Sequence, residues 1–160
     1  MRNRLLIIIT VLMIVGLVLR YWLLAVTDSH TTDGIAFLST AEYMRDPAGW
    51  PDVPKRITMP LYPFMVYLFS FFTGGNVVTA GRYVCMFIGI GLIPLVFILA
   101  RKLFDERVAV ISAFLISVDW MLIVHSTSDR ADLLFAFMTI LLAIYFWKID
   151  WRETRILDAL

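Results

Sequence analysis

One cysteine, two histidines and no glycine-rich phosphate loop occur in a chain of 160 residues, and each scarcity closes off a class of chemistry. The lone Cys85 excludes an intrachain disulfide and, set inside an apolar run, reads as packing. His30 and His125 are the only histidines. With outer aspartates they are chemically able to hold a metal, but they lack close ligand spacing, so the sequence demands no cofactor and leaves a divalent metal as the one candidate. Without a glycine-rich loop there is no nucleotide-binding fingerprint. Charged residues make up 17% of the chain with a net charge of +1, so no nucleic-acid partner is expected. There is also no internal repeat, low-complexity tract or soluble domain.

What the chain has in excess is apolar side chain. Hydrophobic residues reach 61%, against roughly 45–50% in a soluble domain, so the sequence predicts an integral membrane protein. Residues 5–26, 79–100, 108–124 and 131–147 are apolar runs of the length that crosses a bilayer, about 20 helical residues. Arg2 and Arg4 precede the first run, and only Arg20 interrupts it. A cleaved signal peptide is the alternative reading, but the run is too long and Ala25-Val26-Thr27 is a poor cleavage site.

Residues 60–73, with Pro63 inside, are short for a span and suit a re-entrant or interfacial helix. If they do not cross, Arg2, Arg4, Arg101, Lys102, Arg107, Lys148, Arg152 and Arg155 fall inside, eight of the fourteen basic residues. If they do cross, the inside keeps only Arg2, Arg4, Arg82 and Arg130. The positive-inside rule favours the first arrangement. The fold class is therefore an all-α, multi-pass membrane protein with about four transmembrane helices and a cytoplasmic N-terminus. In a prokaryote it would lie in the inner (plasma) membrane. Residues 27–78 form a long first outer loop with juxtamembrane helices near 33–44 and 61–72, separated by a turn cluster at 46–51. Trp50, Tyr62 and Tyr67 suit the headgroup layer of the surrounding membrane lipids.

The polar residues divide between structural and chemical duty. Asp33 opens a helical stretch after Thr31-Thr32 and reads either as an N-cap or as a site carboxylate. Asp119 lies within a predicted span, where an ionisable group is costly unless paired. It is expected to face inward, either on the substrate path or beside Arg82 or Arg130. Asp129 and Asp132 share a face if their helix begins near Ser128, though capping alone explains Asp129. Arg82, Lys55 and Arg56 sit where basic side chains either snorkel to lipid headgroups or hold a phosphate.

The order of these features resembles the membrane glycosyltransferases of the C-type fold. It is most similar to the protein O-mannosyltransferase and aminoarabinose-transferase-like group, glycosyltransferase family 39 and its relatives. The likeness rests on the acidic residue of the first outer segment, on Met59-Pro60-Leu61-Tyr62-Pro63, and on Gly81-Arg82 opening the second span. It continues through Arg101-Lys102-Leu103-Phe104 and through Asp119, Ser126 and Asp132, spaced as an aspartate, a serine seven later and an aspartate six beyond. The resemblance implies that Asp33 is the catalytic carboxylate, that Arg82 handles a lipid-phosphate donor and that the Pro-Leu-Tyr stretch, including Tyr62, lies near that donor. Met59 replaces the first proline of the family's motif, and Gly34 stands where O-mannosyltransferases carry a second acid, which puts a two-carboxylate mechanism in doubt. It also implies that residues 1–160 are the N-terminal part of a longer transferase, with 155–160 beginning a further apolar segment.

The expected function is transfer of a sugar from a polyprenyl-phosphate donor to a hydroxyl of a protein or lipid acceptor on the outer face. Such a reaction needs a base, cations for the departing phosphate and an apolar groove for the prenyl chain. Asp33 supplies the first, and Arg82 with Lys55 or Arg56 the second; Asp129 and Asp132 are further substrate-binding candidates. The competing class is a non-enzymatic membrane protein, a transporter fragment or small assembly subunit with Asp119 lining a path.

Overall fold

A computed structural model describes residues 2–27, 31–46, 48 and 60–147, and among these there is no strand. The elements are α1 (Arg2–Val26), α2 (Thr32–Arg45), α3 (Leu61–Ser70, continued by a 3-10 turn at Phe71–Thr73), α4 (Val77–Leu103), α5 (Glu106–Val118), α6 (Trp120–His125) and α7 (Asp132–Trp147). Two helices, α1 and α4, are long and apolar enough to cross a membrane. At about 1.5 Å per residue their 25 and 27 residues reach roughly 37 and 40 Å.

α4 is the axis of the bundle. Asn76 caps it by accepting from the Thr79 N–H at 3.0 Å, and Arg101 and Lys102 close it where the helix dipole favours cations. Gly74 and Gly75 make the turn into it with φ of 63° and 91°, a conformation that side chains resist. α5 returns along α4 after a tight turn. Asp105 accepts from the Val108 N–H at 2.8 Å, and Ala109, Ala113 and Ser117, spaced at four, present a small-residue stripe. Leu5 of α1, Ile93, Phe97 and Ala100 of α4, and Ala109 and Ala113 of α5 form one core cluster.

Both ends of α3 lie beside the first turns of α4. The Tyr62 hydroxyl is 3.4 Å from the Gly81 carbonyl, and Thr73 Oγ1 donates to the Asn76 carbonyl at 2.8 Å. At ten residues, about 15 Å, α3 is half the length a hydrocarbon core requires. α2 buries Leu38, Ala41 and Met44 against α3 and α4. The short helices expected at 33–44 and 61–72 appear as Thr32–Arg45 and Leu61–Ser70 with its 3-10 extension.

The run 108–124 is not one helix. Asp119 leaves helical geometry (φ −61°, ψ 120°), ends α5 and caps α6, its Oδ1 accepting from the Leu122 N–H at 2.8 Å. Its side chain is exposed rather than turned inward, and its charge bears on Arg20. The break interrupts the hydrogen-bond ladder at the Ile116 and Ser117 carbonyls, which in hydrocarbon would cost several kcal/mol each if unmet. Arg20, fully buried on α1, donates to both, Nη2 to Ile116 at 3.2 Å and Nη1 to Ser117 at 3.3 Å.

The arrangement puts Thr27, Arg82 and the turn 126–131 at one end of the bundle and Arg101 with Glu106 at the other. With Cys85→Ser as background, Asp46→Cys is expected to react with an impermeant thiol reagent from outside. Arg101→Cys is expected to react only after permeabilisation. Labelling of position 101 in intact cells or vesicles of native orientation would overturn the orientation argued from the basic residues.

Candidate active site

At the polar end four segments meet around Gly81, in the second turn of α4. A Cβ placed there would lie 2.7 Å from Leu38 Cδ2 on α2, 3.0 Å from Asp129 Oδ1 and 3.3 Å from the Tyr62 hydroxyl on α3. Only a glycine lets these groups approach so closely. The convergence brings together the elements that carry Asp33, Tyr62, Arg82 and Asp129.

Asp33 sits in the first turn of α2 with its side chain exposed. It is not the cap. That duty falls to Thr31, whose Oγ1 accepts from the Gly34 N–H at 3.0 Å. The next residue, Gly34, is buried against the 126–131 turn, and a Cβ there would lie 2.5 Å from the Asp129 carbonyl oxygen and 2.9 Å from Asp129 Cβ. The two chain segments are therefore in direct backbone contact, which fixes the start of α2 and with it Asp33.

Asp129 and Asp132 do not share a helix face, because α7 starts at Asp132 rather than near Ser128. Asp129 lies in the turn with no exposed surface, whereas Asp132 is exposed and holds Arg130, Nε to Oδ2 at 2.7 Å. Arg82 is half-buried. Its Nη2 donates to the Leu24 carbonyl at 2.7 Å and to that of Thr27, and its Nε lies 3.4 Å from the Thr127 carbonyl. The guanidinium so ties the end of α1 to the 126–131 turn, and these carbonyls orient it.

Tyr62 has no exposed surface. Its ring meets Phe37 edge-on at 5.5 Å, and the Cys85 thiol lies 3.3 Å from its hydroxyl and 3.4 Å from the Arg130 carbonyl. Burial, followed by the neighbouring Cys85 and Asp129, pushes the phenol well above its ordinary pKa, so it serves as a neutral hydroxyl. Beside it two adjoining apolar cavities, of about 170 and 350 Å³, share Leu134 and Met138. They run from Pro60 and Tyr62 down to Phe87 and Gly91, between α3 and α7.

Lys55, Arg56, His30, Trp50, Met59 and the 47–51 part of the turn cluster lie outside the described residues, apart from Ala48. Among the described residues no three of His, Cys, Asp and Glu are grouped to hold a metal, and His125 Nδ1 is buried without a hydrogen-bond partner. In the sequence Arg20 stands only as an interruption of the first apolar run. The cost of a guanidinium inside a span was the signal that marks it.

A family model described as dolichyl-phosphate-mannose-protein mannosyltransferase matches residues 52–158, two thirds of the chain. No curated protein and no solved structure matches the chain.

Proposed function

The chain belongs to the dolichyl-phosphate-mannose-protein mannosyltransferase family, a membrane glycosyltransferase family, and from that premise we propose that it moves a sugar from a polyprenyl-phosphate donor to an acceptor hydroxyl on the outer face. What carries the reading within the fold is the convergence at Gly81, directly above the apolar groove between α3 and α7. A polar cluster holding a carboxylate and a guanidinium, with a greasy channel leading from it, matches the two halves of a lipid-phosphate sugar.

In this reading Asp33 accepts the proton of the acceptor hydroxyl as its oxygen bonds to the anomeric carbon. The bond from that carbon to the phosphate oxygen breaks, and its electron pair leaves with the polyprenyl phosphate. Arg82, with Lys55 or Arg56 from the outer segment, meets the phosphate charge. Leu134, Met138, Phe69 and Phe87 line the path for the first isoprene units. Asp129 seats α2 and Asp132 orients Arg130, so both act on the substrate through their neighbours. Four spans complete the proposal: α1, α4, the interrupted α5–α6 unit and α7. Asp132–Trp147 is 16 residues long.

The test is transfer by the purified protein from polyprenyl-phosphate mannose, and from other polyprenyl-phosphate sugars, to hydroxyl-bearing peptides and lipids. Absence of transfer with every donor, in protein that melts cooperatively, would sink the proposal. Arg82→Lys keeps the charge and loses the planar fork, so it is expected to raise donor KM by about tenfold with little change in membrane insertion. Wild-type transfer by a well-inserted Arg82→Ala variant would remove Arg82 from the site.

A further inference from the structure

Arg20 is on the first helix, about a hundred residues from the turn that builds the site, yet it touches that turn. Its Nε donates to Ser126 Oγ at 3.0 Å, and Ser126 Oγ in turn donates to the Leu122 carbonyl. Nη1 also bonds the Gly16 carbonyl on its own helix at 3.1 Å. The slot holding the guanidinium is walled by two glycines. A Cβ on Gly16 would lie 3.0 Å from Arg20 Nη1, and one on Gly89 would lie 3.0 Å from Arg20 Nε and collide with Ser126 Oγ. One guanidinium therefore spans both ends of α6: it meets the Ile116 and Ser117 carbonyls where α5 stops, and Ser126 where α6 stops. Asp119 supplies the opposite charge at the same break and caps the intervening helix.

We propose that Arg20 is a positioning residue: with Asp119 it holds the short helix α6 at a set angle and so places the 126–131 turn, which seats α2 and Asp33 through Asp129 and accepts from Arg82 through Thr127. A charge buried among carbonyls at a helix break is a poor choice for packing alone, since an unbroken apolar helix would need neither Arg20 nor Asp119. The break and the arginine are two parts of one device, which bends the chain where the site needs a rigid turn. The role in transfer rests on the reading of the Gly81 cluster as the transfer site, whereas the mechanical role does not.

The experiment separates the two. In a Cys85→Ser background, Ser128→Cys places a thiol at a position that is 4% exposed and that should alkylate slowly while the turn is held. Ser126→Ala removes the tie between Arg20 and the turn, together with the hydroxyl's own bond to the Leu122 carbonyl, and leaves the break capped. Arg20→Met removes the whole clamp, and Arg20→Lys keeps a charge without the fork. Ser126→Ala and Arg20→Met are each expected to speed alkylation at position 128 by about tenfold or more, with Arg20→Lys in between. Transfer kcat is expected to fall through Asp33, with at most a smaller rise in donor KM through Arg82. Parent-rate labelling in both Ser126→Ala and Arg20→Met overturns the proposal, as does a rise in KM at constant kcat. If Arg20→Met fails to insert, Ser126→Ala decides alone. A wild-type protein with no transfer activity would defeat the transfer reading, and the labelling rates would still decide what Arg20 does.

Discussion

Asp33→Asn is expected to lower transfer turnover by about 10²–10⁴-fold, the usual contribution of a general base, while donor KM changes far less. Asparagine keeps the size and polarity of the side chain and removes its capacity to take a proton. Stability should hold, because Thr31 and not Asp33 caps α2, and the Asp33 side chain is exposed. The measurement is turnover with a set of polyprenyl-phosphate sugars beside thermal melting of both proteins. Equal turnover at equal melting temperature would strip Asp33 of the role and turn attention to Asp132, the exposed carboxylate in the first turn of α7.

Gly34→Ala is expected to destabilise the protein, against the trend for a glycine inside a helix. In an open helix the exchange gains about 1 kcal/mol. Here the new Cβ would meet the Asp129 carbonyl oxygen at 2.5 Å, a backbone atom that no rotamer can move. Overpacking of that kind costs typically 1–3 kcal/mol, and a backbone clash belongs at the upper end, so the net change is a loss of about 1–2 kcal/mol. Gly34→Glu, which would supply the second acid found in O-mannosyltransferases, is expected to fold worse still and to gain no activity. Thermal melting of the two variants beside wild type decides this. A Gly34→Ala protein as stable as wild type would mean that α2 and the 126–131 turn are not in backbone contact, and would undo the account of how Asp33 is placed.

The sequence was most legible where hydropathy alone decides. The runs 5–26 and 79–100 appear as Arg2–Val26 and Val77–Leu103, and the two short helices expected between them appear within a few residues of their expected bounds. It was least legible at Asp119. Trp120 to Val124 are all apolar, so the average over the run conceals a helix end that one capping carboxylate creates. The aspartate–serine–aspartate spacing looked like a row of candidate functional groups; all three residues stand at helix ends, Asp119 and Ser126 bounding α6 and Asp132 starting α7. The burial of Asp129 and the need for Gly34 were beyond reach for a different reason. Each depends on a contact between segments about 95 positions apart, and no local pattern encodes that distance.

The pairing of Arg20 with carbonyls 96 and 97 residues later has a consequence for how the chain is made. At about 5–20 residues per second, α1 enters the bilayer roughly 5–20 s before its partners are synthesised. During that wait the guanidinium has no protein acceptors beyond its own helix. Arg20 lies six positions before Val26, about 9 Å along the axis, close enough for a long side chain to keep its head among the lipid phosphates. Only once α5 and α6 are made do the Ile116 and Ser117 carbonyls and the Ser126 hydroxyl exist as acceptors for Arg20. The final seat of the first helix is therefore settled only by a later segment of the same chain.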